Sequence, residues 1–281
     1  MQEHWDYVIK SKKSWFQINL KELFRYRYLS LLFVRRTFIA NYKQTILGPG
    51  WAVLQPLLTT VVFTVIFGNI AQLPTDGIPP FLFYMCNNIF WTYFASCLTT
   101  TSSTFVSNAN IFGKVYFPRL IIPISVVITN LISLAIQIAM FLAFYIYFLM
   151  NPAYAYQPNW MIALVPLFVL EMACLSLGFG IIISAITTKY RDLAMMVSFG
   201  VSLWMYATPI AYSVSLVPEK VRGLYMYNPM TPIIETIRYA FFGKGTVDLF
   251  YVLMSVGTTL FVLLTGIILF SKVEKTFMDT V

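Results

Sequence analysis

Charge is scarce in this sequence. Asp, Glu, Lys and Arg make up 11% of the 281 residues, where soluble domains carry about a quarter. Histidine is nearly missing: His4 stands alone, which argues against a His-based metal site or a Ser-His-Asp triad. The three cysteines, Cys86, Cys97 and Cys174, fall inside apolar runs with no C-x-x-C spacing. They read as small buried hydrophobes, with no disulfide framework and no metal ligands. No G-x-x-x-x-G-K-[ST] segment occurs, so the chain has no P-loop of its own for ATP. Asp6, Asp76, Asp192, Asp248 and Asp279 are isolated from one another, and a carboxylate pair for acid–base work is missing. No catalytic residue and no cofactor is therefore assigned to the chain. Residues 1 to 45 hold no uninterrupted apolar core of the kind a cleavable signal needs.

What the sequence does hold is apolar surface. Hydrophobic residues reach 59%, mean hydropathy is +0.74, and there are 25 Phe, 18 Tyr and 6 Trp. One integral membrane domain accounts for this, with no appended soluble domain. Six apolar stretches run from about Ile46 to Phe67, Phe81 to Thr101, Leu120 to Met150, Trp160 to Ile186, Leu193 to Tyr212 and Leu249 to Phe270. Each approaches or exceeds the roughly 20 residues that a helix needs to cross a bilayer. Lipid offers no partner to an open strand edge. The expected fold is all-α and polytopic, with six transmembrane helices.

The net charge of +8 is unevenly placed, with nine of the 19 Lys and Arg residues before position 44. A basic chain can point to nucleic acid, but charge beside apolar spans is better explained by orientation. Lys114, Arg119, Lys189, Arg191, Lys272 and Lys275 fall on the same side as the basic N-terminal region, whereas Lys220, Arg222, Arg238 and Lys244 fall on the other. The positive-inside rule puts both ends in the cytoplasm. Residues 1–14 read as a mobile polar tail. Residues 15–42 read as an amphipathic basic helix, with Leu20, Leu23, Phe24, Tyr28, Leu31, Leu32, Phe38, Ile39 and Tyr42 at helical spacing. Such a helix lies in the membrane interface or packs on a soluble partner. Residues 43–281 form the membrane domain.

The outer segment from Ser213 to Asp248 is unlike the other loops. Pro229 and Pro232 are placed to open a helix there. Ile233, Ile234, Ile237 and Phe241 form its stripe, and Gly243 and Gly245 end it. It is too short to span, so it reads as re-entrant or interfacial.

Four groups of residues could carry function. Glu171 is the one ionisable residue deep within a span. It is either a pore-facing or gating group, or a neutral carboxyl that pins two helices. Tyr84, Asn87, Asn88 and Trp91, with Trp204, Tyr206 and Tyr212 around Pro209, combine rings with amides. That chemistry suits a sugar, and it equally suits an interfacial aromatic belt. The cytoplasmic segment from Val106 to Arg119 carries Ile111, Phe112, Val115, Tyr116 and Phe117. These side chains dip into the interface or insert into a groove on a partner. Arg35, Arg36 and Lys43 offer positive charge near the cytoplasmic mouth, for a pyrophosphate or for anionic lipid.

The run VRRTFIANYKQTILGPGWAVLQPLLTTVVFTVIFG resembles the first span of ABC-2 type permeases that export polysaccharides. The likeness continues through PPFLFYMCNNIFWTYF, NANIFGKVYFPRLIIP, TTKYRDL, YATPIAYSVSLVPEKVR, YNPMTPIIETIRYAF and VEKTFMDTV. Permeases for lipopolysaccharide O-antigen are nearest, with capsule and teichoic acid exporters beside them. Residues 1–14 have no matching counterpart. The resemblance implies a homodimer in the bacterial inner membrane, bound to two copies of a separate ATPase that holds ATP and Mg. It implies a substrate carried on undecaprenyl pyrophosphate and no nucleic-acid partner. The region Asn108 to Pro118 then corresponds to a coupling helix on the ATPase, through Asn108, Asn110, Ile111, Phe112, Lys114, Val115, Tyr116 and Phe117, with the adjoining Arg119. Tyr190, Arg191 and Asp192 face the same partner. The region Val214 to Phe242 corresponds to outer gate helices, with Pro229, Pro232, Glu235, Arg238 and Tyr239 as gate candidates. The first, second and fifth spans line a channel rich in aromatics, to which Trp51 is added. A membrane enzyme acting on lipid-linked sugars, and an ABC-2 exporter of small lipids or drugs, are the alternative functions.

Overall fold

A computed structural model describes residues 20–43, 45–112, 114–115, 117–150, 156–187 and 192–280. The tail expected at 1–14 and the start of the helix expected at 15–42 lie outside these residues. So do Tyr116, Tyr190 and Arg191 of the coupling candidates.

Every regular element among the described residues is helical. Four helical segments are long and apolar enough to cross a membrane: Gly48–Ile70, Ile121–Leu149, Trp160–Thr187 and Leu249–Val273. The first contains α3 (Trp51–Phe63), which runs on into a π-helical turn over Thr64–Ile70. The second and third correspond to α7 (Ile121–Leu149) and α8 (Val165–Thr187), and the fourth is the first part of α12 (Leu249–Thr280). The second expected span is α4 (Pro80–Ser102), 23 residues long. It is long enough to span, but Asn87, Asn88, Ser96, Ser102 and three consecutive threonines dilute its apolarity. Those polar groups are tolerated because α4 is buried among protein neighbours.

The fifth expected span differs most from its expectation. α9 (Leu193–Tyr206) has only 14 residues. Pro209 cannot continue the backbone ladder, and the chain turns there with the carbonyls of Pro209 and Ile210 engaged by Asn87.

α4 and α8 form the centre, with α8 packed between α4 and α12 and α7 on the other side of α4. Glycines set that closeness. A Cβ on Gly180 would stand 2.6 Å from Thr101 Cβ, and one on Gly266 would stand 2.7 Å from the Gly178 carbonyl. Helices in lipid gain from such close backbone approach because no hydrophobic force drives them together.

The basic N-terminal region forms α1 (Leu20–Arg25) and α2 (Arg27–Tyr42). α2 lies along the first half of α7. Phe33 meets Phe117 with ring centroids 5.7 Å apart, and Tyr42 Oη lies 3.3 Å from Ser133 Oγ. Tyr28, Leu31, Leu32, Arg35, Arg36 and Ile39 stay exposed on its other side. After α9, α10 (Glu219–Met226) and α11 (Met230–Phe242) follow one another. α11 ends where the sequence places the stop: Gly243 adopts φ +65°, a left-handed cap that glycine adopts freely.

Candidate functional site

Two short helices, α5 (Thr104–Ser107) and α6 (Ala109–Phe112), carry the segment expected to meet an ATPase. Their apolar side chains divide between two directions. Phe112 and Phe117 are buried, with ring centroids 5.9 Å apart, and Arg119 covers the Phe112 ring. Phe105 stacks on Phe270 of α12 at 4.5 Å. Phe112 and Phe117 therefore hold the segment to the protomer's own core. The residues left for a partner are Val106, Asn110, Lys114 and Val115, which are exposed, with Asp192 exposed at the start of α9. Ile111 and Asn108 are half-buried, and Asn108 donates its side-chain N–H to the Thr104 carbonyl.

This segment is fastened to the C-terminal end of α8. The Thr187 hydroxyl donates to the Ser102 carbonyl, and the Phe105 N–H donates to Ser184 Oγ. Sixteen residues earlier along α8 stands Glu171. At about 1.5 Å rise per residue, the two points are separated by roughly 24 Å of helix.

Glu171 is buried against α12, where Ser255 Oγ lies 2.6 Å from its Oε1. The same Ser255 oxygen lies 2.7 Å from the carbonyl of Pro229, which precedes α11. Glu171 is thus engaged inside the chain, and it links α8 to α12 and to the start of α11.

α11 is buried along almost its whole length, with its apolar stripe against α4, α8 and α12. Arg238 is 0% exposed and pairs with Glu235 one turn before it, and its guanidinium lies over Phe83 at 4.9 Å. Burial pushes the Glu235 carboxyl up, while the Arg238 charge and the Thr246 N–H hold it down. A Cβ on Gly245 would stand 3.0 Å from Glu235 Oε2, so the loop closes over the pair without a side chain. Tyr145 Oη donates to the Phe241 carbonyl at 2.6 Å and ties the far end of α11 to α7. Pro232 is buried in the first turn, and Tyr239 is the half-buried exception on the helix.

Asn228, Asp76 and Ser255 are the residues that sequence reasoning missed. Asn228 accepts from the Trp204 indole at 3.0 Å and donates to the Ala207 carbonyl and to Thr208 Oγ1. Asp76 accepts from the hydroxyls of Ser213 and Ser215. An Asn before Pro is a turn signal visible in the sequence, but the partners of these side chains are far away in the chain.

The aromatic candidates separate by exposure. Tyr84, Asn87, Asn88 and Trp91 are buried within the protomer. Trp204 stands half-buried, with Phe94 and Phe179 edge-on at 5.2 and 5.3 Å. Trp51 and Tyr206 are exposed, and Tyr212 is half-buried with its hydroxyl on the Tyr206 carbonyl. Between the end of α9 and α10 lies a cleft of 470 Å³ walled by Trp204, Val221, Leu224 and Tyr225. Lys43 is exposed after α2, near neither the cleft residues nor Glu171 in sequence.

The family described as ABC-2 type transporter matches residues 28–242. The chain belongs to the ABC-2 type transporter family. Its relatives include an O-antigen export system permease protein RfbA of Klebsiella pneumoniae, 29% identical over 252 residues, 89% of this chain and 94% of the relative. A protein of the same description from Myxococcus xanthus is 30% identical over 226 residues, 79% of this chain and 84% of the relative. This ABC-2 chain is thus a multi-pass membrane transporter component. The family match takes in α2 through α11, so it includes both the α5–α6 segment and the buried α11.

Proposed function

We propose that this chain is the transmembrane subunit of an ATP-driven exporter that moves undecaprenyl-linked polysaccharide of O-antigen type from the cytoplasm to the periplasm. The observation that carries the reading is the end-to-end likeness to permeases described as O-antigen exporters, which spans 94% of one such relative. The geometry supports the same division of labour. α6 and the residues just after it offer Asn110, Lys114 and Val115 to a separate ATPase, and that partner binds ATP and Mg. α10 and α11 form the outer gate. α8 joins the two ends.

Two copies of the chain pair, with an ATPase on each, in the bacterial inner membrane. The exposed apolar face of α9, with Met195, Met196, Phe199, Leu203 and Tyr206, supports pairing there. The channel-lining set then narrows to Trp51, Trp204, Tyr206 and Tyr212. Each protomer crosses six times, α4 and the short α9 adding to the four long apolar helices, and both ends face the cytoplasm. Arg35, Arg36 and Lys43 meet phosphate oxygens at the cytoplasmic mouth, from the carrier pyrophosphate or from anionic lipid.

Depletion of the chain in its own cells tests the reading. Undecaprenyl-linked polysaccharide is expected to accumulate on the cytoplasmic face while surface polysaccharide falls. Unchanged surface polysaccharide under full depletion contradicts it.

A further inference from the structure

The contacts of Ser255 count protons. Its hydroxyl oxygen lies within hydrogen-bond distance of two oxygens, Glu171 Oε1 at 2.6 Å and the Pro229 carbonyl at 2.7 Å. A serine hydroxyl carries one proton, and a peptide carbonyl can only accept. If Ser255 gives its proton to an ionised Glu171, the contact with Pro229 holds two oxygens together with no proton between them, which is repulsive. If Ser255 gives its proton to Pro229, the contact with Glu171 needs a proton from the carboxyl itself. Each contact is a two-centre hydrogen bond of this length when Glu171 is a neutral acid, whereas a single serine proton shared between two acceptors makes each bond weaker.

The surroundings agree. Among the described residues the ion pair found is Glu235 with Arg238, and no Lys or Arg pairs with Glu171. Ser255 faces Glu171 from α12, and Pro229, which precedes α11, bonds the same serine. Of the other helices against α8, α4, α7 and the short α9 contain no acidic or basic residue, and α11 carries Glu235 and Arg238, which pair with each other. Cys174, three residues on along α8, is the titratable group beside it. An unpaired carboxylate among such groups is costly, whereas a neutral acid with a good acceptor is not.

We propose that Glu171 is held as a neutral acid whose proton completes a chain of hydrogen bonds, Glu171 to Ser255 to the Pro229 carbonyl, and that this chain positions the start of α11. Glu171 and Ser255 are positioning residues and touch no substrate. They join three elements at one point: α8, which is fastened to the coupling segment, α12, and the outer helix. The consequence for gating rests on the reading of α10 and α11 as the outer gate. The protonation state and the anchoring do not.

The test uses the full-length chain with its ATPase in lipid nanodiscs at neutral pH. Infrared spectra are expected to contain the carbonyl stretch of a protonated carboxylic acid that disappears in E171Q. That band is expected to move to higher frequency in S255A, where the acid loses its acceptor, and to stay in place in S255T. Hydrogen–deuterium exchange over residues 229–236 is expected to be several-fold faster in S255A and to return to the native rate in S255T. E171Q keeps an N–H donor and is expected to leave exchange unchanged. If E171Q removes a carboxylate band instead, the neutral acid is overturned. If the acid band is present and exchange in S255A is unchanged, the anchoring is overturned. Faster exchange in S255A with full export keeps this inference and contradicts the gate reading on which its consequence rests.

Discussion

Trp204 and Asn228 form the joint between the last turn of α9 and the first turn of α11. The indole N–H donates to Asn228 Oδ1 at 3.0 Å, and the Asn228 amide donates back to the Ala207 carbonyl at 2.8 Å. The same Oδ1 also accepts from the Met230 N–H. One side chain therefore closes the end of α9 and begins α11. N228A leaves these groups without their partner and is expected to destabilise the protein by about 2 kcal/mol or more. N228D keeps the acceptor but sets a negative oxygen against the Ala207 carbonyl, so it is expected to be no better than N228A. Thermal unfolding of the purified chain in detergent checks both.

The buried pair of Glu235 and Arg238 makes a different prediction. Removing one partner strands a charge with no water, which costs about 3–5 kcal/mol. E235L and R238L are each expected to unfold early or to fail to accumulate. The double variant E235L/R238L is expected to recover most of the lost stability, because it buries no charge. A double variant as unstable as either single one contradicts the account of α11 as a helix held by packing.

In the segment around α5 and α6, exposure decides which changes read out a partner. V115D and N110D lie on the exposed side of the coupling segment. They are expected to lower ATPase co-purification several-fold and to leave the melting temperature unchanged. F112D introduces a charge between Phe105, Phe117 and Arg119. It is expected to destabilise the chain itself, so loss of export in F112D does not by itself locate the partner. Normal co-purification with V115D and N110D together contradicts the assignment of this surface.

Close packing of α8 is testable by added methyl groups. G180A and G266A place a Cβ within 2.6 and 2.7 Å of fixed atoms, and overpacking of this kind costs about 1–3 kcal/mol. G257A meets nothing within 4 Å and is expected to be neutral or to gain up to about 1 kcal/mol of helix propensity. Unfolding in detergent ranks the three.

How much of this was readable beforehand depends on how local each signal is. The long spans follow from unbroken apolar runs, and α11 follows from Pro229, a stripe at helical spacing, and Gly243. Each of those signals lies within one continuous stretch of chain. The anchors at the end of α9 and the start of α11 were not readable, because their partners lie far off in the chain. Asn87 reaches Pro209 and Ile210 across more than 120 positions, and Ser255 reaches Glu171 across 84. The direction of Phe112 and Phe117 was equally hidden, since an apolar residue in a loop looks the same whether it meets its own core or a partner. The early end of α9 was signalled by Pro209 but masked by the apolar residues that follow it.

The central claim is that this chain moves a lipid-linked glycan with the work of a separate ATPase and changes no covalent bond itself. Inverted membrane vesicles containing the chain and its ATPase, loaded on the outside with undecaprenyl-linked polysaccharide, test that most directly. The account predicts that ATP drives intact glycan into the lumen, where it is protected from added glycosidase, and that omitting either protein or ATP abolishes the protection. Glycan that stays outside with both proteins and ATP present, or lipid-linked sugar chemically altered by the chain alone, would contradict it.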